Sequence, residues 1–119
     1  GRAKGYLRCP TGSSVTVLRV GTSRVATAGT RIQLSADAKL TGTHRIKHAT
    51  FGAREGNTGE VYIGQSDVAS TEGWEVDPAA EPLRLPFEKD MGYMPLVSEI
   101  WFDADTNANG IDWILVIED

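Results

Sequence analysis

Cysteine occurs once, at Cys9, so no internal disulfide can staple this chain and its fold must rest on a packed core. Assembly in a reducing cytoplasm is the expectation. Histidine is scarce as well, with His44 and His48 the two present. Along a strand, four residues separate them by about 13 Å, too far to hold one ion, and no His-x-His pair of the kind a metal-binding cupin sandwich uses is present. No apolar run approaches the roughly 20 residues of a membrane-spanning helix, so no membrane partner is expected. Residues 1–10 carry Arg2, Lys4 and Arg8 with no apolar run after them, which is not the pattern of a secretory signal. No nucleophile stands beside a base and no acid pair has a defined setting, so the expectation is a protein that is not an enzyme and takes no cofactor.

The length of 119 residues suits one domain with one core. An apolar fraction of 40% with 13 glycines points to a turn-rich β protein. The charge is divided along the chain: residues 1–59 hold 10 Lys/Arg against Asp37 and Glu55, whereas residues 60–119 hold 14 Asp/Glu against Arg84 and Lys89. Strands from the two halves could interleave and pair their charges locally, or the halves could form complementary faces of neighbouring subunits. Nucleic acid is not the expected partner, since the basic residues are spread out and only Tyr6 and Phe51 offer stacking faces in that half.

In chain order, residues 1–12 mix basic residues with glycine and proline and predict a flexible arm, followed by one domain over residues 13–119. Residues 14–20 (SVTVLRV) are apolar on both sides of the alternation and predict a strand covered on both faces. Residues 30–36 (TRIQLSA) alternate as a strand with one wet face. Residues 43–54 predict a strand bent at Gly52, with Ile46 and Phe51 in the core. Residues 55–59 look like a hairpin connection to the strand Val61–Gly64. Residues 82–87 (PLRLPF), with prolines at both ends, suit an edge strand. Met91, Tyr93 and Met94 then offer lid packing or an adaptable contact patch. The closing segments, residues 96–103 and 111–118, predict a hairpin turning at Asn109-Gly110, with Ile111, Trp113, Leu115 and Ile117 on one face of a central strand. Seven or eight strands without a convincing helix predict an all-β fold, a single β-sandwich of jelly-roll or immunoglobulin-like type.

Asp103, Asp105, Asn107 and Asp112 place oxygen ligands as the start of an EF-hand calcium loop does. The match fails at Ala108, where glycine is needed, and at Ile114, where glutamate is needed. A calcium site of another type at a hairpin tip is the remaining option, set against an acidic solvated turn. Of the tryptophans, Trp101 and Trp113 lie in strand patterns that mark core residues, which leaves Trp74 as the candidate for a surface contact.

The stretch VYIGQSDVASTEGWEVDPAAEPLRLPF, residues 61–87, followed by SEIWFDADTNANGIDWILVIE, residues 98–118, resembles small virion proteins of tailed bacteriophages. The matching features are Val61 to Gly64, Ser66 to Val68, the Ser70 to Gly73 turn, Val76 with Pro78, the Leu83 to Phe87 strand and the two closing strands. Ala79 stands where that family often has glycine, and the loop from Ala104 to Gly110 is longer than usual. The resemblance implies a structural virion protein, a capsid decoration (cement) protein on the capsid surface, assembled in the host cytoplasm. Its partner would be the major capsid protein, and its form a homo-oligomer, with a trimer favoured at local three-fold positions. Arg2, Lys4 and Arg8 would then contact the capsid or a neighbouring subunit, and Ser66, Asp67 and Trp74 would form a loop contact surface. The alternative implied is a tail- or fibre-associated module that binds a host surface or carbohydrate.

Overall fold

The computed structural model describes residues 16–118, and among these it shows two antiparallel sheets of four strands. The strands are β1 (Thr16–Val25), β2 (Ile32–Gln33), β3 (Arg45–Ala53), β4 (Val61–Gly64), β5 (Trp74–Val76), β6 (Leu83–Leu85), β7 (Trp101–Ala104) and β8 (Asn109–Glu118). One sheet has the order β1-β8-β3-β6 and the other β2-β7-β4-β5. Their facing sides close one core, which is sandwich-like and mostly β. Phe51 from the first sheet meets Phe102 from the second edge to face, with ring centroids 5.7 Å apart. The predicted arm, including Arg2, Lys4 and Arg8, lies outside the described residues.

Strand β8 is central, as its two apolar faces imply, and it pairs with β1 on one side and β3 on the other. Ile111, Trp113, Leu115 and Ile117 all point inward and are buried. Trp113 is the largest of them, and two features of β1 accommodate it. Ser23 Oγ accepts its indole N–H at 3.0 Å. Gly21 sits opposite it in register, where a Cβ would lie 2.6 Å from Trp113 Cζ2. In β3, Ile46 and Phe51 are both fully buried. Strict alternation cannot bury residues five apart, and the chain resolves the conflict with a bulge between Ile46 and His48. The irregularity thus falls at Lys47 rather than at Gly52.

Several expectations need correction. Strand β1 is not covered on both faces: it is the edge of its sheet, and Leu18 and Val20 are 61% and 66% exposed. Residues 30–36 do not form one strand. After two strand residues the chain closes a helical turn, α1 (Leu34–Ala38), ended by Lys39 in the left-handed region. Leu34 is buried there and its N–H donates to Ile100 O at 3.0 Å, so one side of the turn is fixed to the core. The closing strands are not a hairpin, because β7 and β8 belong to different sheets. Asn109 and Gly110 are already strand residues paired with Val25 and Arg24, and the positive φ, 67°, falls at Ala108. The same holds for residues 55–59, which cross from β3 in one sheet to β4 in the other. The Asn57 amide explains how both crossings are held: it donates to Gly110 O and accepts from Gly110 N–H, each at 2.8 Å, as a strand neighbour would.

The sheet order also sorts the charge. In the first sheet, strands from the two halves of the chain alternate, and the ion pairs join them: Arg54 to Asp112 at 3.1 Å, and Lys47 to Glu118 and Glu88 at 3.8 Å each. These pairs are partly exposed, and each contributes at most about 1 kcal/mol.

Gly21→Ala should destabilise the fold by about 1–3 kcal/mol, because the added methyl group must displace a buried indole. Urea unfolding followed by far-UV circular dichroism checks this, with Gly52→Ala as a comparison, since a Cβ there would meet Pro82 at an ordinary 3.7 Å.

Candidate functional site: an apolar cleft between two sheet edges

Strands β5 and β6 are the edges of the two sheets on the same side of the sandwich, and the sheets part between them. The result is a cleft of about 250 Å³. Its walls are apolar: Leu83, Leu85 and Phe87 come from one edge, Ile63 and Trp74 from the other, and Ile100 contributes between them. Tyr93, Pro95, Gln65 and Glu99 complete the mouth.

Local chemistry explains each wall. Leu83 and Leu85 point the same way because Arg84 separates them in a strand, and Pro82 and Pro86 hold that strand to three residues. Pro86 is followed by a π-helical turn, Phe87–Met91, ended by Gly92 with φ 67°. On the other wall, Val68 N–H donates to Gln65 O at 2.9 Å, and Ala69 and Glu72 exchange both backbone hydrogen bonds, closing a tight turn. Gly73 returns the chain to β5 with φ 140°, where a Cβ would press on Val68 Cγ2 at 2.7 Å. Trp74 follows at once, pairs with Ile63 and is 61% exposed. At the mouth, Tyr93 Oη donates to the Glu99 carboxylate at 2.9 Å, and Glu99 also accepts Leu96 N–H at 2.8 Å. The hydrogen bond to Glu99 is the main reason the Tyr93 hydroxyl titrates above its ordinary value.

Of the residues expected to form a loop contact surface, Trp74 lines the cleft. Ser66 instead borders a shallow neighbouring hollow with Ser98 and Trp101, and exposed Asp67 lines neither. Trp74 is a strand residue, not a loop residue. Trp113 is buried, as expected, whereas Trp101 is half-buried. The contribution of Glu99 was not anticipated, although Met91, Tyr93 and Met94 had marked the segment before it.

The calcium candidates are not brought together. Asp103 is buried in the second sheet, where Oδ1 accepts the N–H groups of Gly29 at 3.0 Å and Ala104 at 2.8 Å. Asn107 accepts Ala28 N–H at 2.8 Å, and Asp105 accepts the Thr106 hydroxyl at 3.0 Å. Asp112 lies in the first sheet, bound to Arg54 and to the Thr22 hydroxyl. Asp103 and Asn107 thus hold Gly29 and Ala28 in the connection between β1 and β2, while Asp112 holds Thr22 and Arg54. Among the described residues, no three His, Cys, Asp or Glu side chains gather as a metal site requires.

A second polar feature lies on the other sheet. Glu60 titrates above its ordinary carboxyl value of 4.5, first through a hydrogen bond shared with Glu75, then through burial and the charges of Glu75, Asp105 and Asp77. Burial first, then the charges of Asp105, Glu60 and Glu75, raise the Tyr62 hydroxyl. Comparison of the chain with family models, with curated proteins and with solved structures returned no match.

A carboxyl group whose folded-state pKa is raised favours folding below its unfolded value and loses that contribution as pH rises through the folded value. Glu75→Gln should therefore raise stability more near pH 7, where Glu60 and Glu75 otherwise repel, than near about pH 4. Melting temperatures of both proteins across that range measure the difference.

Proposed function

We propose that this chain is a non-enzymatic structural protein of a bacteriophage particle, a capsid decoration protein that binds the outer capsid lattice and stabilises it by contact. Its fold would be a β-sandwich of jelly-roll or immunoglobulin-like type with seven or eight strands, and its assembled form a trimer. The resemblance of residues 61–87 and 98–118 to small virion proteins supports this reading. The structural observation that carries it is the outer face of the first sheet. There Leu18 lies opposite Val116 and Val20 opposite Ile114, on adjacent rows of β1 and β8. Leu18, Val20 and Ile114 are all exposed, so three large apolar side chains form one patch on a face that a lone subunit would make polar.

Such a patch serves docking because burying each side chain against a capsid subunit yields about 1.5–3 kcal/mol, and the pleat holds the row rigid before contact. The major capsid protein is the proposed partner, and the virion surface the proposed location. A second reading, a tail- or fibre-associated module for a host surface or carbohydrate, draws on exposed Trp74, whose ring could stack on a sugar. The apolar walls around Trp74 favour an apolar side chain over a sugar as its neighbour.

Replacing Leu18 and Val20 together by lysine should leave the melting temperature close to that of the parent, because both side chains already face solvent. Affinity for undecorated capsids of the source particle should fall by about 100-fold or more. Unchanged occupancy, seen by cryo-microscopy or co-sedimentation, would overturn the proposal. Binding on a glycan array that disappears in Trp74→Ala would favour the second reading.

A further inference from the structure

The cleft between β5 and β6 has a volume of about 250 Å³, below the roughly 300–1,000 Å³ typical of small-molecule sites and suited to one or two side chains. Its lining comes entirely from residues 63–100. That segment contains Asp67, Glu72, Glu75, Asp77, Glu81, Glu88, Asp90 and Glu99 against Arg84 and Lys89. The occupant that fits is an extended segment with a large apolar or aromatic side chain between cationic ones and with no acid.

We infer that the occupant is the chain's own stretch over residues 1–9, GRAKGYLRC, which lies outside the described residues. It places Tyr6 and Leu7 between Lys4 and Arg8, has Arg2 before them, and contains no acid. Charge complementarity is one support and reach is the other. Thr16, the first residue of β1, shares a cross-sheet row with Glu118, Arg45 and Leu96, the last through an isolated bridge. Three strand spacings, about 14 Å, therefore separate Thr16 from Leu96, whose neighbour Pro95 lines the cleft. The ten residues from Tyr6 to Thr16 span up to about 33 Å. The stretch can cross that end of the sandwich and set Tyr6 or Leu7 against Trp74, with its cations near Glu99 at the mouth, in a segment of net negative charge. This inference does not depend on the virion reading.

Trypsin cleaves after Lys4 and Arg8, so limited proteolysis of the full chain, followed by mass spectrometry, reports whether the stretch is held. Cleavage at these two bonds should be at least about tenfold slower in the parent than in Trp74→Ala, with Trp74→Phe in between, because cleavage tracks the released population. Trp74 is exposed at an edge, so its replacement leaves the core packed. The difference should be the same at every protein concentration and should shrink in high salt. Equal rates in the parent and Trp74→Ala overturn the inference. Protection that grows with protein concentration overturns it too, and assigns the cleft to the stretch of a second copy.

Discussion

The inward row of β8, Ile111, Trp113, Leu115 and Ile117, is the constraint on which the other elements depend. This strand is paired along both edges, with ten partners in β1 and a further set in β3, so its alternation dictates which side chains of both neighbours face the core. The demand for space around Trp113 is met by Gly21 on one side, and Phe51 stands in register on the other. Phe51 in turn carries the contact to the second sheet through Phe102. The bulge at Lys47 exists so that Ile46 and Phe51 can both join this row.

The same strand accounts for the exposed apolar patch. With its inner face committed to the core, its outer face has Ile114 and Val116, and β1 adds Val20 and Leu18 directly opposite them. The apolar patch is a consequence of register, since a shift of one residue would turn the whole row inward. At the other side of the sandwich the sheets end in three-residue strands bounded by proline or glycine, too short to close over the core. The cleft is the gap this leaves, and Trp74 stands exposed because its edge strand has no further neighbour.

Much of this was legible along the chain. Period-two alternation identified β8 and its inward residues, prolines marked β6 as an edge, and Ile46 and Phe51 read as core because large apolar side chains inside strand patterns have few other places to go. Of the candidate site, Trp74 was recognisable because it stands in a polar, turn-rich stretch. Leu83, Leu85 and Phe87 were recognisable as a strand, but not as the opposite wall, because nothing local shows which strands become neighbours across a gap. The calcium pattern misled for a related reason: Asp103 and Asp112 are nine positions apart in the chain, yet they belong to different sheets and bind different partners.

By itself, the sequence determined the β character of the chain, the core-facing side of its last strand and the separation of charge between its halves. All three are set by side-chain type and short-range alternation. Only the tertiary structure decided that β7 and β8 part into two sheets rather than forming a hairpin, that Asn109-Gly110 continues a strand, and that residues 34–38 turn helical. Each of those outcomes depends on distant partners: the Asn57 amide on Gly110, the pairing of β1 with β8, and the Ile100 carbonyl on Leu34. Sheet pairing is a competition among all strands for edges and for core volume, and a local turn signal loses when burial of the whole row favours another arrangement.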